Sequence, residues 1–370
     1  MTHPDILVIG GGIIGLGAAR ELALLGYRVE VVERLAAGAE ASMAAAGMIS
    51  PLDETSTPGP FFDACRDSRD LWGPWVAALE EETGMSIDYD TSGALLVAVD
   101  DEEEAALDRT LRLAGELGEE AEEVEGHALR HWVPDITPEV RRALHLSGDH
   151  RVDNVQACAV LARAAQGRGV LIHHDSEVEL VEIRQPEGTV LVSGHHWRKE
   201  AALVVLAAGA WSGRIPGLPV LPVRPVRGQM LLLGGVDWPW NGSVRAGARH
   251  YAVRRGATGL LVGSTQDEAG FDKHTSLGGL EELLGFARRS FAGLGGARVE
   301  AFWAGLRPGT PDGLPILGRL PGLPVLVATG HFRNGILLAP WTAREIARLA
   351  TSDTVDTDLA PFSPTRFAGV

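Results

Sequence analysis

Apolar runs closed by glycine alternate along this chain with segments of helical period. Ile6–Ile9 is continuously apolar and ends in Gly10-Gly11-Gly12, the pattern of a fully buried parallel strand entering a tight turn. Ile13–Leu25 reads as a helix packed on that strand, with Gly26 as its stop, and Tyr27–Val32 as a second strand closed by Glu33. The first 33 residues therefore predict a β-α-β unit. Leu71, Trp72, Trp75, Val76 and Leu79 are spaced to line one helical face. Gly93–Val99 reads as a strand, and Asp101 with Glu104 as a capping box for a helix turning Leu107, Leu111 and Ala114 inward. Val155–Ala165 is helical and Val170–His174 a strand. Val178–Ile183 and Val190–Ser193 suit a hairpin. Leu203–Ala207 and Val325–Ala328 are buried strands ending near glycine. Val226–Leu233 is a further strand, and Tyr251–Arg254 with Gly259–Ser264 a second hairpin. Leu280–Phe291 and Ile336–Ala350 carry helical patterns.

Signals of a nucleotide-binding strand end recur near residues 10, 207 and 330. One domain assembled from three separated segments accounts for them, with a second domain inserted between. The fold class expected is α/β: a Rossmann-like domain of discontinuous segments plus an α+β domain with a mostly antiparallel sheet. There is no internal repeat and no Pro/Ser-rich linker.

Composition narrows the picture. The 370 residues suit two to three domains on a rule of about 150 each. The net charge of −16 is concentrated: Asp100–Glu125 holds twelve acidic residues against Arg109 and Arg112, which reads as a solvated helix face. No basic stripe suits a nucleic acid, and no apolar run of about 18 residues suits a membrane span. The start MTHPDILVIGGG lacks the basic and cleavable parts of a signal peptide, so the cytoplasm is expected. Cys65 and Cys158 form no spaced motif and predict a reducing compartment without disulfides. The twelve histidines show no metal spacing; the pairs His173-His174 and His195-His196 would point apart if placed on strands.

Gly10-Gly11-Gly12-Ile13-Ile14-Gly15 fits G-x-G-x-x-G in its full context, with an acidic residue 23 positions beyond Gly10 at Glu33. Gly10 permits the turn, Gly12 lets backbone approach a pyrophosphate, and Gly15 lets helix and strand pack closely. N–H groups at the helix start favour phosphates, and Glu33 can accept from a ribose. A nicotinamide enzyme would fit the same fingerprint. No second fingerprint exists, since Gly293-Leu294-Gly295-Gly296 has neither the spacing nor a preceding strand, so one dinucleotide is the economical expectation. The small residues from Ala41 to Ile49 allow either close passage along a planar cofactor or a tightly packed helix start.

Four segments carry a resemblance to a known family: VIGGGIIGLGAARELALLGYRVEVVER at the start, SMAAAGMISP at 42–51, VVLAAGAWS at 204–212, and the pair GLRPGTPDGLPILG (305–318) and TGHFRNGILLAP (329–340). In order and spacing they resemble the D-amino-acid oxidase superfamily of FAD-dependent oxidoreductases, in its glycine oxidase and sarcosine oxidase branch, most closely glycine oxidase of the thiamine pathway. The resemblance implies an FAD-binding domain from 1–85, 146–220 and 305–370, and a substrate-binding domain from 86–145 and 221–304. It implies that Gly10, Gly12, Ile13, Ile14 and Gly15 hold the FAD pyrophosphate, and Glu33 and Arg34 the adenosine side. Ser42, Ala45, Ala46, Gly47 and Met48 would line the pyrophosphate and the flavin ring. Val178 would meet the adenine, and Ala208, Gly209 and Trp211 would close over the diphosphate. His331, Arg333, Asn334, Gly335, Ile336 and Leu337 would bring backbone N–H groups at a helix start to the edge of the flavin where negative charge develops. Arg307 would hold the substrate carboxylate by a bidentate pair, assisted by Tyr251, with Arg333 nearby.

The activity so implied is oxidation of glycine or another small amine or D-amino acid: hydride passes from Cα to the flavin, O2 is reduced to H2O2, and the imino acid is hydrolysed or handed to a thiazole-forming partner. Catalysis would be positioning and flavin electronics, with no general base and no metal. The sarcosine oxidase branch links flavin to a cysteine near the C-terminal motif; no cysteine follows Cys158, so noncovalent FAD is expected. Arg249, Gln266 and Met48 would lie at the substrate pocket; Gln266 stands where the family often carries an apolar residue and Arg249 adds a second cation, which leaves the choice of amine open. The resemblance also suggests a homo-oligomer. Rival expectations are a dehydrogenase passing electrons to a quinone or other carrier, and a flavin-binding subunit of a heteromeric amine dehydrogenase.

Overall fold

The structure is a computed structural model describing residues 3–53, 55, 57–184, 188–247, 249–352 and 359–367, which include every candidate site residue named above. Ile6–Ile9 sits centrally in a six-stranded sheet, between Val29–Val32 and Leu203–Leu206. Val325–Thr329 lies beyond Leu203–Leu206, and Leu171–His173 beyond Val29–Val32, all in parallel pairing. Ile316–Arg319 closes one edge in antiparallel pairing. So three distant stretches converge on one sheet. The reason is hydrophobic: Leu7, Val8, Val204, Val205, Leu206 and Val325–Val327 are sealed from solvent. Each such side chain contributes about 1.5–3 kcal/mol over its exposed state. Helices Ile13–Leu24, Asn154–Gly167 and Ala339–Thr351 cover one face. On the other lies the antiparallel sheet Leu180–Arg184, Thr189–Gly194 and Trp197–Ala201.

The second large sheet has eight strands and is antiparallel apart from the pair Ser243–Ala246 and Ala94–Ala98. Its longest strands, Arg224–Gly234 and Arg298–Gly309, pair over nearly their whole length. Helix Leu277–Ser290 packs on it through Leu283, Phe286 and Ala287.

Several expectations shift. The strand Arg298–Gly309 carries no sequence signal in its exposed first three residues, Arg298–Glu300, and it runs through the expected domain junction at 304/305. The helix expected from Leu71 begins at Pro60 and continues through Pro74 to Thr83; Trp72, Trp75, Val76 and Leu79 form its buried face. The capping box falls one residue earlier than Asp101/Glu104. Asp100 Oδ1 accepts from Glu103 N at 2.9 Å, and Glu103 Oε2 accepts from Val99 N at 2.9 Å. His195 and His196 lie in a turn instead of on a strand, so alternation does not separate them and their ring centroids are 3.9 Å apart. Among the described residues no helix is long and apolar enough to cross a membrane.

Candidate active site

A cavity of about 510 Å³ runs from the Gly10–Ile14 turn to Arg307 and His331. Its volume is within the ordinary range of ligand sites. It opens along the ends of the parallel strands, where such sheets bind ligands.

The turn is built by close approach. Gly10 has φ +108°, and a Cβ there would stand 2.4 Å from Ala207 O; a Cβ at Gly15 would stand 2.0 Å from Gly10 O. Only glycine lets the first helix, the first strand and the strand Leu203–Leu206 meet so closely. Gly15 therefore packs behind the cavity and does not line it. Glu33 does line it. Its Oε2 accepts from Gly11 N at 2.7 Å and its Oε1 from Leu35 N at 2.9 Å, which ties the acidic strand end to the glycine turn. Each oxygen keeps capacity for a ribose hydroxyl.

Ser42 lies in the short helix Ala41–Ala44, and its Oγ accepts from Ile13 N at 3.0 Å. Asn154 Nδ2 donates to Ser42 O at 2.7 Å and to Met43 O at 3.1 Å, fixing this segment to helix Asn154–Gly167. Ala45, Ala46, Gly47 and Met48 follow along the cavity wall after that short helix. Arg34 pairs with Glu40 and lies over the Trp211 ring at 3.8 Å, with Val178, Ala208 and Gly209 in the same wall. Thr329 Oγ1 donates to Gly209 O at 3.0 Å and accepts from Ser212 Oγ at 2.8 Å.

His331, Arg333, Asn334, Gly335 and Ile336 line the cavity, but as a 3-10 turn over Phe332–Asn334. The helix expected from Ile336 begins only at Ala339: the chain first makes the 3-10 turn, with Phe332 at φ +48°, and then a further turn before Pro340 at the helix start. The dipole of the long helix therefore starts beyond the cavity wall. Leu337 does not line the cavity; it is buried, and its carbonyl accepts from Ser68 Oγ at 2.6 Å and Trp72 Nε1 at 3.0 Å. The His331 ring is buried, with Nε2 3.0 Å from Thr342 Oγ1; burial pushes its pKa down to about 3, so the ring is neutral.

The far end of the cavity is walled largely by the second sheet. Arg307 Nη2 donates to Ser264 Oγ at 2.6 Å and Nη1 to Thr265 O at 3.2 Å. The guanidinium lies against the backbone of the neighbouring strand: a Cβ at Gly228 would stand 2.1 Å from Nη1. The Tyr251 hydroxyl donates to Met230 Sδ at 3.3 Å, in a buried cluster with Ala46, Val253 and Leu261. Arg333 Nη2 donates to Asp53 Oδ2 at 3.4 Å.

Two expected pocket residues stand elsewhere. Arg249 and Gln266 are exposed and outside the cavity. Arg249 lies in the turn before strand His250–Arg255, and Gln266 beyond the end of strand Gly259–Gly263, so strand alternation does not aim either inward. Sequence reasoning missed Ser264, Met230, Gly228 and Asp53 in the cavity wall. Gly228 and Met230 lay in the predicted strand Val226–Leu233 and Ser264 ended the predicted strand facing Tyr251, whereas Asp53 had no signal. Both cysteines are buried and outside the cavity, and burial pushes the Cys158 thiol up to about 12. Among the described residues no group of three or more His, Cys, Asp or Glu could hold a metal.

The family described as FAD dependent oxidoreductase (DAO) matches residues 5–349. The bifunctional protein ThiO/ThiG of Synechocystis sp. is 38% identical over 99% of this chain, which spans 54% of that relative. The glycine oxidase of Geobacillus kaustophilus is 36% identical, with 100% of this chain and 99% of the relative covered. The crystal structure of glycine oxidase from Geobacillus kaustophilus superposes with a TM-score of 0.92 at 33% identity, covering 99% of each chain. The glycine turn, the converging segments and these full-length similarities agree, and the chain belongs to the family of FAD dependent oxidoreductases.

Proposed function

We propose that this protein is an amino-acid oxidase that deaminates glycine or another small amine bearing one carboxylate. One observation carries the proposal: a single cavity joins a dinucleotide-type glycine turn to an arginine and a buried tyrosine. Arg307 binds the carboxylate through charge-assisted hydrogen bonds. Its guanidinium is held against Gly228 and bonded to Ser264 and Thr265, so little rotamer freedom remains to be lost on binding. Tyr251 turns its hydroxyl from a weak thioether acceptor to the carboxylate. Together they fix Cα of the amine, and the small residues Ala45–Gly47 let the cofactor lie close to it. Bound FAD supplies the two-electron oxidation of the amine to an imine, with O2 as electron acceptor and H2O2 released. With both cysteines buried away from the cavity, the FAD is held noncovalently. The similarity to a fused ThiO/ThiG protein supports delivery of the imine to thiazole formation.

The test is a peroxide-coupled screen of glycine, sarcosine and D-amino acids on purified yellow protein. Peroxide with a small carboxylated amine is expected. Flavin that stays oxidised with every amine would remove the oxidase reading. Flavin reduction without peroxide would replace oxygen by another carrier.

A further inference from the structure

We propose that the loop 267–276 is a latch that retains FAD, with Phe271 and Lys273 as positioning residues acting through the cavity wall. The inference rests on the cavity holding FAD and not on which amine is oxidised. The loop joins strand Gly259–Gly263 to helix Leu277–Ser290, so its roots belong to the second sheet. Strand Arg224–Gly234 fixes both roots. At the first, Arg227 and Asp267 exchange backbone hydrogen bonds at 2.9 Å, and Asp267 Oδ2 accepts from Gln229 Nε2 and Thr265 Oγ1, each at 3.0 Å. At the second, Gln229 Oε1 accepts from Ser276 N at 2.7 Å, and Arg227 Nη1 donates to His274 O at 2.8 Å. Gln229, shared by both roots, is buried.

The middle of the loop crosses to the parallel-sheet domain. The half-buried Phe271 ring has its centroid 5.4 Å from that of Trp211, and the Arg214 guanidinium lies 3.9 Å over it. Lys273 Nζ donates to Glu40 Oε2 at 2.8 Å. Glu40 also pairs with Arg34, and Arg34 lies over Trp211. The contacts thus run in a closed circuit from Arg34 through Trp211, Phe271, Lys273 and Glu40. Arg34, Glu40, Trp211 and Arg214 line the cavity together with Glu33, whereas Phe271 and Lys273 stand outside the lining. Fixed roots with a lightly held middle make a part that can lift. The Lys273 side chain is 41% exposed, and exposed ion pairs and arginine–aromatic contacts are each weak. A dinucleotide can therefore leave by parting side chains here, while the glycine turn at the other wall stays closed by main chain. Contacts that must break before release act mainly on the dissociation rate.

The experiment dilutes the yellow holoprotein and follows free FAD by its fluorescence. Phe271→Ala should speed release by at least about tenfold and Lys273→Met by about threefold, while Phe271→Tyr should stay near the unaltered rate. Phe271→Ala should also lower Tm more with FAD bound than in the apoprotein. Release unchanged by Phe271→Ala, or sped equally by Phe271→Tyr, overturns the inference. An equal fall in Tm with and without FAD overturns it too, because the contact then serves the fold alone. Should Phe271→Ala not fold, salt decides: release should quicken with added salt in the unaltered protein and lose that dependence in Lys273→Met. The same salt dependence in both proteins overturns the latch. A chain that takes up no FAD removes the cofactor reading and the latch together. FAD that binds but leaves every variant at one rate removes the latch alone.

Discussion

The two ends of the cavity are built by different means. At the glycine turn the walls are backbone and small side chains, supplied by residues that are neighbours in sequence or anchored a strand away: Gly10, Gly12, Ser42, Gly209. At the Arg307 end the walls are long side chains, Arg307 and Tyr251 from strands of a second sheet and Arg333 from the 3-10 turn, and each is held by a partner remote in sequence. Arg307 leans on Gly228 and Ser264, Tyr251 on Met230, and Arg333 on Asp53. A backbone cradle tolerates no added atom where main chains touch, as at Gly10, while a side-chain pocket can be retuned by one substitution. The first end should therefore fail as a unit and the second by degrees.

The largest effect is expected at the cradle. Gly10→Ala would place a methyl 2.4 Å from Ala207 O at φ +108°, so the purified protein should be colourless, read as the flavin-to-protein absorbance ratio. A normally yellow Gly10→Ala protein would erase the contrast between the ends. Next is Arg307→Ala, which should keep its flavin yet lose at least about 2 kcal/mol in kcat/KM for carboxylated amines. Unchanged kinetics would take Arg307 out of substrate binding.

A comparable effect is thermodynamic. His331 is held neutral in the fold, its pKa moved from 6.5 to about 3 by burial. Between those values the unfolded chain binds the extra proton, so stability is lost as pH falls below about 6.5, by about 2 kcal/mol at pH 5. His331→Gln should flatten the fall of Tm between pH 7 and 5, and an equal fall in both proteins would show that the ring is not buried neutral. The smallest effect is Tyr251→Phe, which removes one hydroxyl from a site that keeps its arginine. A loss of about 1 kcal/mol in kcat/KM is expected, with flavin content intact. A loss as large as that of Arg307→Ala would mean that the tyrosine, and not the guanidinium, carries the carboxylate.

The same contrast explains what was legible. The cradle could be read because its signals are local: an apolar run, a glycine triplet, a helical period and an acidic residue at a fixed offset. Resemblance then supplied Arg307 and Tyr251. Arg249 and Gln266 misled because nearness in sequence to a pocket strand does not place a residue on it; both lie just past strand ends. Asp53 had no signal at all. Its side chain is held by Arg245, a buried arginine 192 positions away.

Sequence alone determined the β-α-β start, the three-segment assembly of the parallel sheet and the single dinucleotide turn, since period and glycine placement act over a few residues. Tertiary structure decided the long strand Arg298–Gly309, the 3-10 turn before Ala339 and the ionic cluster behind Arg333. These depend on which strand pairs with which and on which charges are buried together. Such energies arise only between residues far apart in the chain, and no local pattern records them.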